Sequence, residues 1–190
     1  MRTFIAIELP QEIREFLSLA QAQLKATGAD IKWVEPQNIH LTLKFLGEID
    51  KVKSEKIIKI IEEVAKDNNA FEIRISSFGA FPKINFPRVI WTGIDSGDKE
   101  ARVIAKELEE KIEKIGIPKE VRPFSSHITL GRTRSTLNRE KLAQGLFKLT
   151  ADFGGKTIEF RATKITLFKS TLTPTGPIYE ILKEANLTTI

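Results

Sequence analysis

Hydrophobic and polar positions follow two periods along the chain, which predict amphipathic helices alternating with short strands. Apolar residues recur at helical spacing in four stretches, and each set would form the buried face of a helix. These helices are predicted to follow Pro10, to start at Ser54 and Asn138 as candidate N-caps, and to cover 101–115. Shorter runs that are apolar or alternate with period two predict strands. The predicted strands are 3–9, 31–34, 40–45, 71–75, 88–94, 126–131, 157–161, 164–168 and 178–182.

The order of these elements repeats along the chain. Each half consists of a strand, a helix, a histidine-containing strand, a helix and a strand, and the intervals agree: 36 positions lie between Phe4 and His40, and 38 between Val89 and His127. Residues 76–87 contain a glycine and two prolines, and we predict that they form a loop joining the halves. The repeat indicates a duplicated unit.

We therefore predict an α+β fold, a single bilobal domain over 1–190 with approximate repeats 1–75 and 88–170 and a closing strand at 177–183. Two antiparallel sheets would face a central cleft, with the helices packed on the outside. A pseudo-twofold axis between the lobes would bring the two histidine-containing strands face to face across the cleft.

The only two histidines of the chain begin matching segments, His-Leu-Thr-Leu at 40–43 and His-Ile-Thr-Leu at 127–130. Because strand side chains alternate between faces, each histidine would share a face with its threonine, and the aliphatic residues would enter the core. A polar strand face turned to water would also tolerate His and Thr. That explanation does not account for the equivalent positions of the only histidines, so we favour a functional pair.

Two imidazoles that flank one phosphate can perform both proton transfers of a displacement at phosphorus. Imidazole titrates near pH 6.5, so one ring can accept a proton from the attacking hydroxyl while the other donates to the leaving oxygen. Threonine hydroxyls can hydrogen-bond the remaining phosphate oxygens as charge develops there. Two histidines without a carboxylate-rich motif make a poor divalent-metal site, so we expect neither a metal nor another cofactor.

The composition indicates which class of partner the protein could bind and in which cell compartment it is expected. The formal net charge of +5 and the pI of about 9.4 make an anionic partner plausible. Without cysteine the chain has no disulfide, thiolate zinc site or cysteine nucleophile. Neither a signal peptide nor an apolar run of about 20 residues is evident, and we expect a cytoplasmic protein without membrane contact.

Several segments together resemble the two-histidine phosphoesterase superfamily, and within it the RNA 2′,3′-cyclic phosphodiesterases, historically called 2′-5′ RNA ligases. The resemblance runs nearly from end to end and includes both histidine segments. Ser126 departs from it, because the family often has proline before the second histidine. The segments that carry the resemblance are 2–7, 33–47, 87–91, 124–132 and 176–179.

The resemblance implies hydrolysis of a ribose 2′,3′-cyclic phosphate to a 2′-phosphate. Carried onto the matching positions, it makes His40 the general acid that protonates the departing 3′ oxygen and His127 the general base that activates water. Thr42 and Thr129 would hold phosphate oxygens, and Arg132 matches an arginine of the family.

Strict strand alternation would turn Arg132 away from His127 and Thr129. Gly131 could permit a bulge that redirects the arginine toward them, so we include Arg132 among the predicted substrate-binding residues.

Three alternatives to RNA hydrolysis stay open. ATP-independent 2′-5′ ligation would use a 5′-hydroxyl end in place of water, and the same site could support both reactions. A phosphodiesterase for a small cyclic nucleotide would need the same residues. A passive RNA-binding module would need only Lys and Arg, so the two histidines favour an enzyme. The expected partner is an RNA with a 2′,3′-cyclic phosphate end, tRNA fragments included, bound by a monomer.

Overall fold

The computed structural model describes residues 1–154 and 156–189, and within them the chain forms nine strands, four α-helices and a short 3-10 turn at Pro36–Asn38. All four predicted helices and all nine predicted strands are confirmed, with shifted ends. The elements in chain order are β1 (Arg2–Glu8), α1 (Gln11–Lys25), β2 (Ile31–Trp33), β3 (His40–Glu48), α2 (Lys51–Asp67), β4 (Phe71–Lys83), β5 (Phe86–Ile94), α3 (Asp98–Glu113), β6 (His127–Thr133), α4 (Arg139–Phe153), β7 (Ile158–Ala162), β8 (Lys164–Thr173) and β9 (Gly176–Asn186).

The prediction that Ser54 caps α2 was wrong. The N-cap is Asp50, whose carboxylate accepts a hydrogen bond from the backbone N–H of Lys53 at 2.7 Å. An aspartate caps a helix as well as a serine does, and here it lies one turn earlier. Ser54 is buried inside the helix.

Residues 76–87 were predicted to be a loop, and this was also wrong, because they belong to a long hairpin formed by β4 and β5. The glycine of this segment is required by packing rather than by a turn. A Cβ at Gly79 would come within 2.6 Å of the Trp91 indole, which lies over it from the neighbouring strand. The two prolines pair with each other near the hairpin tip, where few ladder hydrogen bonds are lost.

The strands form one antiparallel sheet in the order β7-β4-β5-β6-β3-β1-β8-β9, with β2 paired to β6. One half of the sheet is β3-β1-β8-β9 and the other is β6-β5-β4-β7. The halves meet where β3 pairs with β6 through Leu41 and Ile128. The predicted α+β class is therefore confirmed, while the two predicted sheets are continuous through this junction.

The helices cover one face of the sheet and leave the other face to the site. Leu41 and Ile128 are fully buried in the same core cluster as the apolar faces of the four helices. The back of each histidine-containing strand is thus held by close packing, which leaves little freedom for the side chains on its front.

Each half of the chain follows the element order that the sequence predicts. The sheet nevertheless exchanges strands between the halves, because β4 pairs with β5 and β7, and β8 pairs with β1. The repeat bounds 1–75 and 88–170 stay a prediction. None of the helices in the described ranges has the length and hydropathy needed to cross a bilayer.

Candidate active site

The two histidine segments have the same alternation of exposure. In both, the histidine and the threonine are partly exposed, while the residues after them are buried. In β3 and in β6 alike, a second buried residue follows, and then an exposed one, which is Phe45 in β3 and Arg132 in β6. The predicted placement of each histidine beside its threonine is thus what the strands show.

A β-bulge at the same point of each strand explains this pattern. Leu43 is skipped in the pairing of β3 with β1, and Leu130 is skipped in the pairing of β6 with β5. An extra residue reverses the alternation that follows it, so the exposed residue three places after each threonine returns to the histidine face. The sequence permitted a bulge at Gly131; the structure places the extra residue one position earlier.

The junction between the halves brings both histidine segments together on one face. Leu41 lies opposite Ile128 in antiparallel pairing. In antiparallel pairing, the residue before Leu41 lies opposite the residue after Ile128, and the reverse. Each histidine is therefore set beside the threonine of the other half. Both imidazoles and both hydroxyls therefore border the same small area of the sheet.

A cavity of about 590 Å³ opens on this face, and four of the five predicted site residues line it: His40, Thr42, Thr129 and Arg132. The fifth, His127, is not among its lining residues. Its ring lies edge-on to Phe81 at 5.1 Å between centroids. The cavity wall also includes Arg2, Phe4, Lys32, Asn38, Phe45, Leu172, Thr175, Pro177 and Tyr179.

His40 lies in an aromatic environment. Phe4 stacks on its ring at 4.7 Å between centroids, and Tyr179 meets it edge-on at 5.5 Å. The pKa of His40 is lowered to about 4, chiefly by burial; the hydrogen bond to Asn38 raises it, and the charge of Arg14 lowers it. The ring is therefore neutral at pH 7 when no anion is bound.

His127 is more accessible than His40. Burial lowers its pKa as well, and the charge of Arg132 contributes in the same direction, while the hydrogen bond to Ser125 opposes both.

Both rings are oriented by the same backbone contact. His40 Nδ1 lies 2.7 Å from the carbonyl oxygen of Asn38, and His127 Nδ1 lies 2.8 Å from that of Ser125. A carbonyl oxygen can only accept, so Nδ1 carries the hydrogen in each ring. Each Nε2 is left free to exchange a proton, which is the arrangement that an acid–base pair requires.

Three residues that the sequence did not single out complete the surroundings of His40. The side-chain amide of Asn38 donates to the carbonyl oxygen of Pro177 in β9 at 2.9 Å and so fixes the carbonyl that orients His40. Phe4 and Tyr179 enclose the ring. Asn38 is two positions before His40, whereas Phe4 and Tyr179 come close to it because β3, β1, β8 and β9 are neighbours in the sheet, a long-range pairing without a local sequence signal.

The residue before the second histidine does not disturb this geometry. Ser126 is buried, and the hydrogen bond from His127 to Ser125 forms beside it. Over 1–154 and 156–189, no three His, Cys, Asp or Glu side chains come close enough together to hold a metal ion.

Comparison with known proteins agrees with this geometry. The family model described as LigT-like phosphoesterase matches twice, over residues 7–91 and 94–179, and each match contains one of the histidines. The chain belongs to the LigT-like phosphoesterases.

Curated and solved relatives support this membership of the LigT-like phosphoesterases over the whole length. An RNA 2′,3′-cyclic phosphodiesterase of Methanocaldococcus jannaschii is 40% identical over 97% of this chain and 99% of its own. The crystal structure of TT0787 from Thermus thermophilus has a TM-score of 0.81 at 27% identity, covering 98% of each chain. The E. coli LigT structure in complex with 3′-AMP has a TM-score of 0.77 at 26% identity, again with 98% of each chain covered.

Proposed function

We propose that this LigT-like phosphoesterase hydrolyses the 2′,3′-cyclic phosphate at the end of an RNA to a 2′-phosphomonoester, with His40 and His127 as its acid–base pair. The observation that carries the proposal is the matched orientation of the two rings: each donates Nδ1–H to a backbone carbonyl and keeps Nε2 free. The curated relative named RNA 2′,3′-cyclic phosphodiesterase supports the choice of substrate.

The reaction needs one proton removed and one supplied on opposite sides of phosphorus. His127 Nε2 accepts a proton from water as the water oxygen bonds to phosphorus. His40 Nε2–H donates a proton to the 3′ oxygen as the bond between that oxygen and phosphorus breaks. The products are a 2′-phosphate and a 3′-hydroxyl, and a proton exchange with solvent restores both rings.

Substrate binding promotes the protonation of His40. With a pKa of about 4, His40 is neutral in the free protein at pH 7. A phosphate anion bound beside a buried imidazole favours its charged form and raises its pKa. Binding of the cyclic phosphate therefore charges the acid at the moment when it is needed.

The remaining residues hold the phosphate and its developing charge. Thr42 and Thr129 belong to opposite halves, and their hydroxyls are proposed to hydrogen-bond the two non-bridging oxygens. Arg132 shares their cavity, and a guanidinium can bind the same oxygens through two N–H groups. Charge on these oxygens increases in the pentacoordinate transition state, so the three contacts strengthen there.

The same arrangement also supports ATP-independent 2′-5′ ligation. A 5′-hydroxyl end can take the place of water, because the pentacoordinate species that forms is stabilised by the same side chains. We propose ligation as a secondary activity that needs a second RNA end beside the first. A cavity of about 590 Å³ suits a nucleotide-sized ligand, so a small cyclic nucleotide is a second candidate substrate.

The proposed setting is that of an RNA-processing enzyme. We propose that the chain acts as a cytoplasmic monomer and that tRNA fragments ending in a cyclic phosphate are among its substrates. Sedimentation of the purified protein would test the monomer, and a mass near 43 kDa, twice the 21.5 kDa of one chain, would contradict it.

One assay tests the proposed reaction directly. The protein is incubated, with EDTA present, with an oligonucleotide that ends in a 2′,3′-cyclic phosphate, and the phosphate monoester is identified. We expect a 2′-phosphate at the same rate with and without EDTA. A 3′-phosphate product would reverse the assigned leaving group, and binding without turnover would support the RNA-binding module instead.

A further inference from the structure

A row of cations extends from the cavity to the tip of the β4–β5 hairpin, where the first residue of α4 adds the last cation. It consists of Lys32, Lys83, Arg132 and Arg139, which are called the basic stripe below. Across the described residues, none of these four forms an ion pair with a carboxylate within 4.0 Å. Only Arg132 belongs to the catalytic residues proposed above, so the other three cations have no role yet.

The start of the basic stripe places two like charges side by side. Lys32 lies directly opposite Arg132 in the pairing of β2 with β6, and both are exposed and line the cavity. Like charges directly opposite each other destabilise a sheet. Glu35 also lines the cavity, yet it forms an ion pair with neither Lys32 nor Arg132. The arrangement therefore favours an anion that lies between or above the two cations.

A third bulge carries the stripe onward to the tip of the β4–β5 hairpin. Phe81 pairs with Val89, and Lys83 pairs with Phe86, so Arg88 is an extra residue in β5. Lys83 shares the face of Phe81 by ordinary strand alternation, and the bulge brings its partner Phe86 to the same face, which is the face that contacts His127.

The ring of Phe86 organises the distal end of the basic stripe. Lys83 Nζ lies 5.0 Å from its centroid, and Arg139 Cζ lies 4.9 Å from it. Arg139 is the first residue of α4, where the helix dipole disfavours a cation. Phe86 itself is 52% exposed. An exposed aromatic ring with two unpaired cations is the combination that binds single-stranded nucleic acid, through stacking and phosphate contacts.

We propose that the basic stripe binds the phosphates of the RNA strand on the 5′ side of its cyclic end, and that Phe86 stacks on an upstream base. This inference rests on the proposed function, because a 2′,3′-cyclic phosphate exists only at a 3′ terminus, and the rest of the RNA must leave the cavity in the 5′ direction. From Gly93, opposite His127, to Phe86 is seven residues of β5, or about 23 Å. The stripe is thus longer than one nucleotide, and it distinguishes an oligonucleotide from a small cyclic nucleotide.

The test compares two double variants that remove the same charge. In Lys83→Gln/Arg139→Gln the distal cations are neutralised, and in the control Lys56→Gln/Lys59→Gln two exposed lysines of α2 are neutralised instead. Fluorescence anisotropy gives Kd for an RNA oligonucleotide with a cyclic phosphate end, and turnover is measured on this RNA and on a 2′,3′-cyclic mononucleotide.

We expect the first double variant to weaken RNA binding roughly tenfold, without a change in mononucleotide turnover. The slope of log K against log salt should decrease by about 1.4, since each phosphate contact of a single strand contributes about 0.7. Phe86→Leu should also weaken RNA binding but leave the slope unchanged, because stacking releases no counterions. The α2 control should match the wild type in every measurement.

Three outcomes would overturn the basic stripe as an RNA site. One is an unchanged RNA Kd in the first double variant, and another is an equal loss in both double variants. The third is displacement of the RNA by polyglutamate as effectively as by unlabelled RNA, which would indicate a general anion site or an acidic protein partner. If the wild type turns over neither substrate and the expected loss of RNA binding still occurs, the proposed function fails and the stripe stands.

Discussion

The ring of His40 stacks on the ring of Phe4 with 27° between their planes, and this contact is one of those that bury the histidine and keep it neutral. Phe4→Leu should therefore raise the pKa of His40 from about 4 toward 6.5, since leucine covers less of the ring. Because leucine leaves part of the buried ring's volume empty, the substitution should also cost roughly 1–3 kcal/mol of stability. An NMR titration of the imidazole measures the pKa, and Phe81→Leu, which affects the environment of His127 instead, is the matched control.

His40→Ala and His127→Ala should each abolish turnover, because each removes one of the two proton transfers. The stability effects should differ. His127→Ala should be nearly neutral, whereas His40→Ala leaves a gap beside Phe4 and Tyr179 and should cost roughly 1–2 kcal/mol. Chemical denaturation gives the free energy of unfolding of both. Activity retained in either folded variant would remove that histidine from the mechanism.

The low pKa of His40 should also make stability depend on pH. The folded-state pKa is about 4 and the unfolded value is about 6.5, so the unfolded chain binds more protons between them. The stabilising contribution is complete above pH 6.5 and is lost as the pH falls toward 4, by about 3 kcal/mol. The measurement is the difference in unfolding free energy between wild type and His40→Ala at several pH values. A difference that stays constant from pH 7 to pH 4 would show that His40 titrates normally.

Catalysis should have a bell-shaped pH profile, because one ring must be neutral and the other charged. Burial lowers the pKa of both rings, so the maximum of kcat/KM, which reports the free protein, should lie below pH 6.5. The profile of kcat should lie at higher pH, since bound phosphate raises both pKa values. The two apparent pKa values that the limbs of the profile give belong to the coupled pair of histidines and not to either ring alone. His127→Ala should lose the acidic limb and His40→Ala the basic limb of any residual activity; a flat wild-type profile would exclude the acid–base pair.

The sequence was sufficient for the element order and for the side-chain alternation of the histidine strands, because both follow from local periodicity. It was misleading at residues 76–87, where Gly79 suggested a turn. The reason for that glycine is the Trp91 indole of the partner strand, which no local pattern reveals.

The position of Arg132 depends on a bulge that the sequence permitted but could not locate. The surroundings of His40 were even harder to predict from the sequence. Asn38 precedes His40 by only two residues, but Phe4 comes near the ring through the pairing of β1 with β3, and Tyr179 through the pairing of β1 with β8 and of β8 with β9. His40 lines the cavity although these residues enclose its ring, whereas His127 is not among the lining residues.

Rescue by a better leaving group distinguishes the general acid from the general base. A cyclic phosphate substrate with sulfur in place of the 3′ oxygen has a leaving group that needs no protonation. Rates on this substrate and on the natural one are compared for wild type, His40→Ala and His127→Ala. We predict that His40→Ala recovers much of its lost rate on the sulfur substrate, while His127→Ala, which lacks the base, does not. Equal recovery of both variants, or recovery of His127→Ala alone, would contradict the assignment of His40 as the acid.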